Sequence, residues 1–444
     1  MNVVIGFVLI VLLGYAGSRL ALFQKRFSLG LQYVFLAGTE FLFIGLLLGP
    51  GATHFLTKQA LYELSPVLSL CLGWIGLLVG LQFDRKILAP ISLRVWQMAL
   101  TVTGVAFAIV FVSLYCLIPF CYYIVGDMGL IGLAEMRQNQ SALVGVSCLF
   151  GAVATVSTYS ALALIQRDAS LRSRTAKLLQ LLTDLRAPMA VVGMGLWYAA
   201  YHASIEIQSA IQFNNQSESA MEPVLNSAGW IAVTLLLGLA LGWMLHYLTS
   251  ERLREQELLL LVAGSVILSG GLSSYMHLSP LFVNLVMGVT LANLPNFSLG
   301  RITKVLLTAE KPFYVIFMIL VGAMWPPITP MVLLLTVIYA AVRTFSLVIG
   351  AWLGRLWWPA GPMRPPAGLG LAMLPFGGLS IAMAVDFRLI RPGDLADAAL
   401  GVVILAVLIN QLVGPALMGK VLRTTQSRTT DSFTAAPASD GAAV

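Results

Sequence analysis

Four charged side chains fall inside apolar stretches of this 444-residue chain: Glu40, Asp184, Arg186 and Arg343. Charge in hydrocarbon is costly, so each is a candidate for function. Asp184 stands about a third of the way into its stretch, beside Thr183 and four residues before Pro188. A lone carboxylate there must be neutralised, and a proton or a bound cation does so equally well. One group served by two competing ions is the minimum device for exchange. Arg343, in mid-stretch, is its expected charge partner, pairing with an acid when the site is empty. Arg186 follows Asp184 by two residues, roughly 200° around a helix, so it is expected to face elsewhere, toward Glu40 or a cytosol-facing crevice. Glu40, in Thr39-Glu40-Phe41, is the candidate second carboxylate.

Other chemistry finds no footing. The cysteines (Cys71, Cys116, Cys121, Cys148) form no CxxC pair, and the histidines (His54, His202, His246, His277) are isolated from one another. HExxH, Walker A and Rossmann glycine patterns do not occur. The expectation is no enzyme, no cofactor and no metal beyond a transported monovalent cation.

The elements that must position these charges are membrane spans. Hydrophobic residues make up 59% of the chain and charged residues only 10%, against roughly a quarter in a soluble domain. Mean hydropathy is +0.89. Spans need roughly 20 apolar residues, which gives about thirteen: 2–22, 31–49, 64–83, 95–120, 142–166, 176–200, 226–248, 257–276, 279–294, 311–326, 328–353, 367–386 and 396–419. The first, with no basic segment before it, reads as a retained helix. The tail, 421–444, is rich in Ser, Thr and Ala and is expected to be disordered.

With the N-terminus outside and the sides alternating, inner loops collect 20 of the 26 Lys and Arg residues. The outer loops hold Lys58, Arg137, Arg388 and Arg391. This is the positive-inside asymmetry, and it places the C-terminus in the cytoplasm of a multi-pass protein of the cell (inner) membrane. It also accounts for a net charge of +7 without any nucleic-acid partner.

Comparing the two halves of the chain yields four echoes in one order. Leu77-Leu78-Val79-Gly80 matches Ile319-Leu320-Val321-Gly322, and Ile44-Gly45 matches Met287-Gly288. The small-residue run Gly151 to Ser160 corresponds to Leu374-Pro375-Phe376-Gly377-Gly378-Leu379-Ser380, and Thr183-Asp184 to Asn410-Gln411. Partners lie seven spans apart, so the second copy is inverted, an architecture of transporters with a site near the midplane where broken helices cross. The predicted breaks are in spans 5 and 12. Thr155, Ser157, Thr158 and Ser160 can satisfy the backbone groups freed by one, and Pro375 with Gly377-Gly378 interrupts the other. Asp184, Thr183, Thr155, Ser157 and Thr158 form the expected ion- and proton-binding set.

These residues resemble the cation/proton antiporter superfamily, which includes sodium/proton exchangers and potassium-efflux antiporters. The likeness runs to about Lys420, through Thr39-Glu40-Phe41, Val79-Gly80-Leu81-Gln82-Phe83-Asp84, Gly151-Ala152-Val153-Ala154, Thr183-Asp184, Leu278-Ser279-Pro280, Glu310-Lys311-Pro312-Phe313 and Leu374 to Ala384. It implies an all-α membrane domain over 1–420 with two inverted repeats, working by alternating access. Scaffold helices would cover about 1–83 and 257–326, core helices about 95–200 and 328–420, with a linker at about 226–248. It further implies a homodimer in the lipid bilayer that exchanges Na+ or K+ for protons, with the ion-binding aspartate on Asp184 and the partner base on Arg343. The chain departs from the pattern at Thr183, Arg186 and Phe376. Two other readings share the fold: a non-transporting membrane sensor or subunit, and an anion or organic-solute transporter that binds through Arg186 and Arg343.

Overall fold

The structure, a computed structural model, describes residues 8, 11–12, 38, 40–53, 55–125, 140–158, 174–214, 222–249, 254–295, 299–359 and 364–434. Nearly all of the first predicted span and Ser160 lie outside them. The described chain is helical throughout: α1 Glu40–Leu48, α2 Lys58–Glu63, α3 Ser65–Leu81, α4 Arg85–Leu88, α5 Leu93–Val125, α6 Gln140–Thr155, α7 Arg174–Asn214, α8 Glu222–Leu248, α9 Glu255–Tyr275, α10 Pro280–Asn293, α11 Leu299–Ala323, α12 Pro330–Gly354, α13 Leu369–Ala372, α14 Gly378–Ile390 and α15 Asp394–Thr434. Six of these helices are long and apolar enough to cross a membrane, and α3, α6 and α10 are shorter apolar helices.

Several boundaries differ from expectation for local reasons. Arg301, Lys304 and Lys311 had marked a loop before residue 311, yet α11 begins at Leu299. Ile302, Val305, Leu306 and Ala309 are buried at helical spacing, while Lys304 is exposed and pairs with Glu255 at 3.0 Å. Lys304 and Lys311 therefore lie on the outer face of a helix. The tail is helical from residue 421 to Thr434, where disorder had been expected. Leu422 is fully buried there, and Val421 packs on Gly368.

Packing falls into two groups. In one, α3 lies against α10, α9 and α11, and α1 lies against α11. In the other, α5, α6, α7, α12, α13, α14 and α15 contact one another. Helix α8 touches both groups, through α10 and α7.

The repeat echoes mark where helix backbones touch in the first group. A Cβ placed on Gly45 of α1 would lie 2.0 Å from the Ile319 carbonyl and 2.9 Å from Gly322 Cα of α11. A Cβ on Gly80 of α3 would lie 2.2 Å from the Leu285 carbonyl and 3.0 Å from Gly288 Cα of α10. Gly45 is the repeat counterpart of Gly288, and Gly322 of Gly80, so one contact is made twice. Small residues permit such an approach between membrane helices.

Candidate ion-binding site

Two helices stop in mid-protein and their continuations meet. Helix α6 ends at Thr155, whose hydroxyl turns back to the Ala152 carbonyl (2.7 Å). The chain then runs through Val156, Ser157 and Thr158 without helical structure. On the other side α13 ends at Ala372, and residues 374–377 are non-helical before α14 begins at Gly378. Pro375 has no N–H to extend a helix. The break in span 12 is thus where the sequence places it. The two unwound segments bond to each other: Thr158 N–H donates to the Pro375 carbonyl (2.8 Å), and Ser157 Oγ to the Met373 carbonyl (2.8 Å). Gly414 of α15 packs tightly against Pro375, where a Cβ would lie 3.0 Å from the proline ring.

Arg343, fully buried on α12, staples this crossing. Its Nη2 donates to the Val156 carbonyl (2.9 Å) and its Nη1 to the Leu374 carbonyl (2.8 Å), one in each unwound segment. Nη1 also reaches Asn410 Oδ1 at 3.5 Å. The guanidinium lies 4.0 Å from the centroid of the Phe376 ring, a cation–π geometry. Arg343 was expected to pair with an acid, and main-chain carbonyls take that place because the unwinding frees them. Phe376, a departure from the family pattern, is the aromatic floor under the arginine.

Arg186, expected toward Glu40 or a cytosol-facing crevice, turns to the crossing instead. It is fully buried and reaches the crossing: Nη1 donates to Ser157 Oγ (3.2 Å) and lies 3.1 Å from Met373 Sδ.

Asp184 is partly accessible, and its carboxylate takes no hydrogen bond or ion pair from the described residues. Pro188, four residues later, cannot donate to the Asp184 main-chain carbonyl, so that oxygen is freed as well. Pro415 stands in the same relation to Gln411, the repeat counterpart of Asp184. Thr183 is buried and its hydroxyl is spent on the Leu179 carbonyl (2.9 Å), as Asn410 Nδ2 is on Ala406 (2.9 Å). Of the expected set, Ser157 and Thr158 thus lie in the crossing itself, and Thr155 ends the helix beside it. Asp184 shares a helix with the arginine that enters the crossing, and Thr183 turns inward to its own helix.

Glu40 begins α1 outside the crossing. Gly38, with a φ of 69° that suits glycine, turns the chain into that helix. The Tyr314 ring abuts both Gly38 and Gly378, so this tyrosine stands between the Glu40 turn and the start of α14.

One buried acid escaped the sequence reading. Asp386, 1% exposed, accepts a hydrogen bond from Ser279 Oγ at 2.6 Å. Ser279 also caps α10 through the Phe282 N–H (3.0 Å). The predicted span ended at residue 386, which put this acid at a margin, whereas α14 runs on to Ile390.

The sodium/hydrogen exchanger transmembrane profile matches residues 39–420. The chain belongs to the sodium/hydrogen exchanger family. Among solved structures, the sodium/proton antiporter MjNhaP1 of Methanocaldococcus jannaschii shares the exchanger fold, with a TM-score of 0.58, 15% identity, and coverage of 96% of this chain and 98% of that one. No curated protein sequence matches the chain.

Proposed function

We propose that this exchanger trades a monovalent cation, Na+ or K+, for protons across the membrane by alternating access, with Asp184 as the group that carries either ion. The observation that carries the reading is the state of Asp184. It is a partly accessible carboxylate in a membrane helix, without an ion pair among the described residues and with its own main-chain carbonyl freed by Pro188. Family membership and the antiporter-like fold support cation/proton exchange as the activity.

The moving parts are the two packing groups. Helices α5–α7 and α12–α15 form the core that carries the crossing. Helices α1, α3 and α9–α11 form the scaffold, with α8 as linker and a homodimer built on the scaffold side. The core meets the scaffold where Gly195 of α7 abuts the Phe282 ring of α10, beside the Ser279–Asp386 bond. The N-terminus lies outside and the C-terminus in the cytoplasm of the cell membrane.

The test is proton flux in sealed vesicles upon addition of Na+, K+ or Li+. Wild type dissipates a proton gradient with at least one of them. Asp184→Asn keeps shape and dimension but abolishes the flux, with expression and melting near wild type. Full flux in Asp184→Asn would overturn the assignment.

A further inference from the structure

We infer that Arg186 is a tethered cation that competes with the transported ion at the crossing and thereby sets the affinity of the site; this rests on Asp184 being the ion carrier. A cation entering between two broken helices needs oxygen lone pairs, and most of those near the crossing are already engaged. Arg343 holds the Val156 and Leu374 carbonyls, Ser157 holds the Met373 carbonyl, and Thr158 holds the Pro375 carbonyl. Arg343, Ser157 and Thr158 already tie the two segments together, and Arg186 adds only its Nη1 contacts with Ser157 Oγ and Met373 Sδ.

What Arg186 adds is charge. Its Nη1 occupies Ser157 Oγ, the one side-chain oxygen shared by both segments. Its Nε and Nη2 are buried and have no acceptor among the described residues. No carboxylate among them lies within ion-pairing distance of it. Among the described residues no carboxylate neutralises the guanidinium, which stands on the same helix as Asp184, two residues from it. An arriving monovalent cation meets a like charge and loses an oxygen ligand. A unit charge at ~8 Å with an effective dielectric near 20 weakens binding on the order of ten- to thirtyfold.

The experiment measures the half-saturating concentration of Na+, K+ and Li+ on the purified full chain, by ion-dependent thermal stabilisation in lipid nanodiscs and by exchange rate in vesicles. Arg186→Gln and Arg186→Met remove the charge, and the methionine refills the volume with an apolar chain, a replacement that buried charges often tolerate. Both are expected to lower the half-saturating concentration about tenfold or more, and adding Asp184→Asn to either should erase the gain. Arg186→Lys, which keeps the charge without the planar fork, should stay near wild type. An unchanged or raised half-saturating concentration in the neutral variants would overturn the inference, whatever happens to the maximal rate. So would failure of both neutral variants to fold while the lysine variant folds, because the charge would then be structural. Loss of the Asp184 reading is seen separately, as flux that survives in Asp184→Asn.

Discussion

At the scale of single residues, the two buried arginines divide the labour at the crossing. Arg343 is bonded to both unwound segments, and its removal takes the donor from two buried carbonyls. Each stranded group costs about 1–3 kcal/mol. Arg343→Ala is accordingly expected to lose about 3–5 kcal/mol of stability and most of its exchange. Arg343→Lys keeps the charge but cannot fork to two carbonyls, so its melting temperature and exchange rate should fall between those of wild type and the alanine variant. Melting curves and vesicle exchange on the three proteins check this. If alanine and wild type melt and exchange alike, Arg343 staples nothing. Polar groups stand out in apolar runs, which is how the sequence singled out Ser157, Thr158 and Arg343, the three that meet at the crossing. It did not disclose what Arg343 bonds to, since main-chain carbonyls freed by unwinding carry no sequence letter of their own. Arg186 was legible as an anomaly, but a wheel gives a face and not the neighbours that face meets, here Ser157 and Met373.

At the scale of helices, the sequence spoke most clearly where geometry restricts residue type. The echo of Val79-Gly80 with Val321-Gly322, and of Gly45 with Gly288, was found as letters; the structure gives it the meaning of two equivalent backbone contacts. Proline and paired glycines located the break before α14 for the same reason. Margins were less legible: the start of α11 was hidden by its charged face, and Asp386 by a span end set four residues too early. The glycine contacts also yield a test. Gly45→Ala and Gly80→Ala place a methyl group onto a carbonyl and should each cost about 1–3 kcal/mol through overpacking. Gly264→Ala in α9 meets nothing within 4 Å and should be neutral or mildly stabilising. Thermal melting in detergent compares the three, and equal stability of all would mean that the helices are free to part.

At the scale of the whole molecule, the proposed alternating access would require the two packing groups to slide or tilt against each other. The place to arrest it is the close contact between Gly195 and the Phe282 ring, whose atoms would lie 2.4 Å from a Cβ on Gly195. A chain carrying Gly195→Cys and Phe282→Cys should lose exchange on oxidation and regain it on reduction, while each single variant is indifferent to redox treatment. Exchange that persists in the oxidised double variant, with the cross-link verified by mass, would rule out movement at this seam.

The doubled glycine contact has a consequence for ancestry. Gly45 meets Gly322, and Gly80 meets Gly288, so each contact takes one glycine from each half. A half-length ancestor would have carried both glycines yet had nothing within itself to set them against. It could bury them only against a second copy of itself lying the other way up. The present chain has the packing that two such copies, joined end to end, would give.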